Sequence, residues 1–142
     1  MMKLLNLAGC TVALLLAGAN LATASQLAGS EWRPAEIGAS EVPSDSQIFV
    51  RFTGDGKIEG HAGCNRFSGS YTPIGDRIDI GPLAATRMAC PDPIMKREAQ
   101  LFEALERAKR FQRDGVDLKL TDDAGNLLAR FVRPMPTDPD RQ

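Results

Sequence analysis

Most of this chain is written with a period of two. Ile48, Val50 and Phe52 alternate with Gln47, Arg51 and Thr53, with Phe49 the one apolar residue on the polar side, which is the pattern of a half-buried strand. Gly54-Asp55-Gly56 then turns the chain into 57–60, a hairpin signal. Gly63-Cys64-Asn65 is a second tight spot, after which 66–72 runs on in extended form with Phe67 and Tyr71. Pro73-Ile74-Gly75-Asp76 turns again, Ile78 and Ile80 mark a short strand, and 83–89 reads as extended. Short strands joined by short turns require a mostly antiparallel sheet.

One segment changes period. Asp92 is a residue type that caps helices and Pro93 suits a first helical position. Ile94, Leu101, Phe102, Leu105 and Ala108 then share one face, which predicts a helix over 93–113. Glu103 precedes Arg107, and Glu106 precedes Arg110, by the four residues that favour ion pairs. The basic cluster Arg107, Lys109, Arg110 and Arg113 is read as compensation of the helix dipole rather than as an anion or membrane patch. Asp114-Gly115 stops the helix. Val116, Leu118 and Leu120 alternate with Asp117, Lys119 and Thr121, and the turn at 122–126 leads into a returning strand over 127–132. The paired aspartates of that turn lack the spaced oxygen ligands of a calcium loop. The fold class that follows is α+β: a strongly curved, mostly antiparallel, open-barrel-like sheet wrapped around one long helix.

With 142 residues there is room for one ordinary domain. The net charge of −1 gives no electrostatic footprint for nucleic acid. A single histidine excludes most catalytic triads and multi-histidine metal sites. No cofactor or metal site is expected, and a monomer is.

The first 24 residues read as a cleaved export signal. Lys3 is their only charge, 12–19 is a short apolar run, and Ala22-Thr23-Ala24 is an A-x-A cleavage site ahead of Ser25. The apolar run is too short to span a bilayer. Leu7-Ala8-Gly9-Cys10 is a lipobox, but the better apolar region follows it. Anchoring to a membrane is expected only if Cys10 is acylated. The chain therefore divides into a signal peptide over 1–24, a domain over 25–133 and a disordered tail over 134–142. The expected location is the periplasm or beyond, with an outer-membrane lipoprotein as the alternative.

Export changes how the cysteines read. Cys64 and Cys90 remain, and an even pair in an oxidising compartment is read as a disulfide. The alternative is a free thiol: His61 lies three residues before Cys64, so a Cys–His nucleophile is conceivable. Two cysteines without further ligands make a poor zinc site.

The stretch Ile58-Glu59-Gly60-His61-Ala62-Gly63-Cys64-Asn65-Arg66-Phe67-Ser68-Gly69-Ser70-Tyr71 resembles the first signature of the META domain, in its HslJ-like heat-shock form. The second signature, T-x-M-x-C, matches at Thr86, Met88 and Cys90. Trp32 upstream and the closing hairpin match in order and spacing, so the resemblance covers about residues 27–132. It implies a secreted or periplasmic bacterial domain with a curved antiparallel sheet and one helix, linked to heat induction and novobiocin resistance, with a fold similar to lipid-binding pilot proteins of secretion systems. No secure enzymatic activity comes with it.

Gly60, Gly63 and Gly69 read as sites of bending or close backbone approach. Asn65 reads as a residue that hydrogen-bonds its own turn. Arg66 and Arg87, each near a cysteine, are the candidate contact residues across the bridge; otherwise they are exposed strand positions or partners of Asp76 and Asp79. Three functions follow. The first is a non-enzymatic envelope-stress protein that binds an envelope protein or a small apolar ligand. The second is a pilot-like accessory lipoprotein of an outer-membrane secretion system. The third is an enzyme using His61 and Cys64. No catalytic residue is assigned under the first, which the composition favours.

Overall fold

A computed structural model describes residues 26–134. The signal peptide, Cys10 and the tail beyond Pro134 lie outside these residues. In chain order the elements are β1 (Ser30–Ile37), β2 (Ser40–Glu41), β3 (Phe49–Phe52), β4 (Lys57–His61), β5 (Arg66–Ile74), β6 (Arg77–Ile80), β7 (Ala84–Ala85), α1 (Asp92–Arg107), β8 (Arg110–Asp114), β9 (Asp117–Thr121) and β10 (Leu127–Val132).

Each strand pairs antiparallel with its neighbour in the order β1-β3-β4-β5-β6-β8-β9-β10, and β10 returns to pair with β1. The sheet is therefore a closed eight-stranded barrel, where the sequence had suggested an open one. Closure removes the exposed edges that an open sheet would carry. β2 folds back on β1, and β7 pairs with β5 outside the barrel path.

The barrel is filled. Trp32, Val50, Phe52, Ile58, Ile78, Leu118, Leu120 and Phe131 alternate inward from their strands and are all essentially inaccessible. An eight-stranded barrel is just wide enough for side chains to fill its interior. At one end Leu27 is fully buried, and Ser30 Oγ donates to its carbonyl while accepting from Trp32 Nε1 at 2.7 Å. Arg113 and Arg133 each stand over the Trp32 ring, at 5.4 and 5.6 Å, a geometry that favours cation–π attraction.

The helix lies across the other mouth, not inside a wrapped sheet. Strands alternate in direction, so the end of β4, the start of β5 and the ends of β1 and β9 share that mouth. Glu98 bonds to Asn65 at the start of β5, Phe102 packs edge-on against Phe67 at 5.5 Å, and α1 also meets β1, β6, β9 and β10. Leu101, Ala104 and Leu105 form its buried face.

The helix is shorter than its period suggested. It ends at Arg107, Ala108 turns extended, and 110–114 forms β8 instead. Phe111 is the reason: it faces the barrel interior and pairs with Leu120 across β9, an alternation that a helix cannot supply. The basic cluster is accordingly dispersed. Arg107 pairs with Glu103, Lys109 with Asp79, and Arg110 with Asp76. Nor does Asp92 cap the helix. Pro91 holds the N-cap position with no side-chain bond, and Asp92 falls in the first turn, where its charge favours the helix dipole.

β1 went unread in the sequence because Pro34 interrupts it. Its pairing with β10 shifts register between Pro34 and Glu36, the kind of irregularity where a strand proline is tolerated. The turn at 122–126 forms as expected, and Asp122 closes it. Asp122 accepts from the Ala124 and Asn126 amides and from the Asn126 side chain. Those bonds, the Asn126 side chain's first, hold its carboxyl below the usual carboxylate range.

Truncating the helix on its two faces checks this packing. Leu105→Ala is expected to cost about 2–5 kcal/mol, and Glu106→Ala on the exposed face less than about 0.5 kcal/mol, in denaturant unfolding. Equal losses would place the wrong face on the barrel.

Candidate functional site

The two sequence signatures meet at the capped mouth of the barrel. β4 ends at His61, and Gly63 turns the chain with φ +110°, a conformation that suits glycine. Cys64 and Asn65 follow at 3% and 2% exposure. Cys64 is bonded to Cys90, with Cα atoms 6.0 Å apart. The sulfur is thus not a free nucleophile beside His61. The imidazole turns instead to its own loop, and Nδ1 accepts the Gly63 amide at 3.2 Å.

The Asn65 side chain does not serve its own turn, which the residue's main-chain carbonyl closes by accepting the Ala62 amide at 2.8 Å. Its carboxamide reaches across the chain to the second signature, more than twenty residues on. Oδ1 accepts from the Met88 amide at 2.7 Å and from Thr86 Oγ1 at 2.9 Å, while Nδ2 donates to the Met88 carbonyl at 3.2 Å. Nδ2 also donates to Glu98 Oε1 at 2.7 Å. Glu98 Oε2 accepts the Asn65 amide at 2.8 Å and the Cys64 amide at 3.3 Å. The glutamate is 5% exposed, and among the described residues no cation pairs with it. Three N–H donors offset the cost of burying its carboxylate.

Sequence reasoning missed Glu98, although a signal was present. It follows Ile94 by four residues and precedes Leu101 by three, so it sits on the apolar stripe of α1. A carboxylate on that stripe requires buried donors.

What this cluster holds is a strap over residues 83–90. The strap is tied down at Thr86, whose amide donates to the Arg66 carbonyl at 3.0 Å, at Met88 through Asn65, and at Cys90 through the disulfide. Yet every residue from Ala84 to Ala89 is exposed, Met88 at 56%. Two glycines allow close approach here, Gly69 under the start of the strap and Gly60 between β4 and β3. A Cβ at Gly69 would stand 2.8 Å from Leu83 and 3.1 Å from the Pro82 carbonyl oxygen, and one at Gly60 would stand 2.1 Å from the Phe49 carbonyl oxygen. Close backbone approach was one of the two roles expected of both.

Clefts flank the strap on either side. On the outer face of the sheet, a row of cross-strand neighbours, Phe49, His61 and Arg66, floors a cleft of about 570 Å³ walled by Ala84–Thr86. Between strap and helix, Leu83, Met88, Met95 and Phe102 border a second cleft of about 500 Å³, which Arg87 also lines. Arg66 lines the first cleft and Arg87 the second, with Ala84–Thr86 shared between them. They do not pair with Asp76 and Asp79, which bind Arg110 and Lys109. Among the described residues no carboxylate pairs with either arginine. No cluster of metal-ligating side chains occurs among those residues either.

The META domain model matches residues 25–134. This chain belongs to the META domain family. No curated protein matches it. Three solved structures have a similar fold. A protein from Burkholderia xenovorans, solved by NMR, is 27% identical, with a TM-score of 0.62 over 80% of this chain and 88% of that one. A second NMR structure is 23% identical, with a TM-score of 0.63 over 78% and 94%. A DUF4847 family protein from Bacteroides vulgatus, solved by crystallography, is 16% identical, with a TM-score of 0.57 over 77% and 95%. In this META domain, the two signatures are joined by the Cys64–Cys90 bridge and by the hydrogen bonds of Asn65.

Two changes test the strap's attachment. Cys64→Ser is expected to cost about 2–4 kcal/mol, and Glu98→Ala, which orphans three buried donors, about 3 kcal/mol. Because both act on one segment, the double variant should cost measurably less than the sum in a denaturant double-mutant cycle. Strict additivity would mean that the bridge and the polar cluster are independent.

Proposed function

We propose that this META domain protein is a non-catalytic binding module of the HslJ-like, envelope-stress type, exported to the periplasm after cleavage of residues 1–24, and that it works by contact with a partner protein at the strap. One observation carries the reading: a disulfide and a buried polar cluster are spent on fixing a segment whose own side chains stay in solvent. A segment kept only for stability would bury its side chains. A contact surface gains from being fixed beforehand, because less conformational entropy is lost on binding.

The filled barrel favours a partner over a small apolar ligand, since Trp32, Phe52 and Phe131 occupy the interior where such a ligand would sit. The Cys64–Cys90 bridge supports an oxidising compartment. His61 and Cys64 offer little support for covalent catalysis while that sulfur is bonded to Cys90.

Complementation of a deletion strain under heat or novobiocin tests the reading. His61→Ala should complement as well as wild type. Arg66→Glu combined with Arg87→Glu should melt normally and fail to complement. Failure of His61→Ala in a normally folded protein would return catalysis to consideration, and full complementation by the double reversal would remove the strap's surroundings from function.

A further inference from the structure

We propose that the strap takes up an extended peptide of its partner as an added β-strand. The peptide would run along the strap's open edge, set apolar side chains into the cleft against α1 and place an acidic side chain on Arg87. The inference rests on the contact reading above and names the chemistry of the partner.

β7 supplies the edge. Its register pairs Phe67 with Ala85 and Ser68 with Ala84, and β7 has no second neighbour in the sheet. The Thr86 amide donates inward to the Arg66 carbonyl. Antiparallel ladders alternate, so Phe67–Ala85 is a non-bonded pair and the main-chain groups of Ala85 point away from β5. The pattern persists beyond β7, because the Asn65 carboxamide accepts the Met88 amide and donates to the Met88 carbonyl. That is the pair of bonds a neighbouring strand would give. The Thr86 amide and both main-chain groups of Met88 are thereby bonded on the inner side, while the Arg66 amide takes Thr86 Oγ1, and continuing that period of two turns the main-chain groups of Ala85, Arg87 and Ala89 outward.

An exposed edge of this kind is a template for pairing with another chain. Edges not meant for pairing are usually blunted by proline, lysine or inward charges. Here the residues are Ala84, Ala85, Thr86, Arg87, Met88 and Ala89: small or flexible, with no proline. The cleft beside the edge is bordered by Leu83, Met88, Met95 and Phe102, and methionines adapt readily to varied apolar side chains. Arg87 lines the same cleft and makes no ion pair among the described residues, the one carboxylate in that lining being the buried Glu98 that Cys64 and Asn65 already bond, so an acidic residue in the peptide complements it. Arg66 faces the other cleft and takes no part.

The test selects from a displayed library of random dodecapeptides on the exported, oxidised protein. Enriched peptides should alternate apolar with polar residues and carry an aspartate or glutamate. Their affinity should fall roughly tenfold or more against Arg87→Glu and Ala85→Pro, and after N-methylation of alternate peptide amides. It should be unchanged against Arg66→Glu. Ala85→Pro removes an N–H that no ladder bond uses; if that variant nevertheless fails to melt like wild type, the Arg87→Glu and N-methylation results decide. Three outcomes overturn the inference: no enrichment, indifference to N-methylation, or a wild-type dimer that Ala85→Pro dissolves, which would make the occupant a second copy. Loss of complementation by the arginine reversals without any selected peptide would overturn strand addition and leave the contact reading standing. Selected peptides with intact complementation would do the reverse.

Discussion

Asn65 is the residue on which the capped end of this barrel depends. One buried carboxamide ties together three pieces that are far apart in sequence: the turn after β4, the exposed strap and the helix. Its oxygen serves Thr86 and Met88, and its nitrogen serves Met88 and Glu98. An amide side chain can do this because it carries both acceptor and donor groups. Aspartate could not donate to the Met88 carbonyl and would set a second carboxylate against Glu98. The nearby disulfide adds a covalent limit on the same movement.

The rest of the architecture follows from that junction and from closure. Pairing β10 with β1 leaves the barrel itself no free edge, and the chain between β6 and β8 runs outside it. It leaves the barrel as the strap, crosses the mouth as α1 and returns as β8. The helix covers apolar side chains at the mouth and supplies Glu98 to the junction. Fold stability and site geometry are therefore coupled: a change that loosens α1 also loosens the strap.

Much of the barrel was legible because alternation states directly which residues face inward. Ile48, Val50, Phe52, Leu118 and Leu120 are buried as their period requires, whereas Val116, read on the same face, is exposed in the turn between β8 and β9. The α+β class came from the same pattern, and the pairing of Cys64 with Cys90 from the expected export and the even number of cysteines left after it. Three features were hidden for physical reasons. The end of α1 was overrun because Ala108 and Phe111 continue a helical spacing while serving a strand. β1 was masked by Pro34, which the register shift accommodates. The role of Asn65 was out of reach because a long-range side-chain bond leaves no local pattern. Glu98 alone marked the junction, as a charge on an apolar stripe.

The central claim is that the exposed strap is held as firmly as a strand. Amide hydrogen exchange at Met88, in the oxidised protein, measures that directly, because its amide donates to Asn65 and to no main-chain partner. Exchange should be slowed to the range of barrel amides such as Leu120, and Asn65→Ala should restore open-loop rates at Met88 while the barrel amides stay protected. Rapid exchange at Met88 in the wild-type protein would contradict the account.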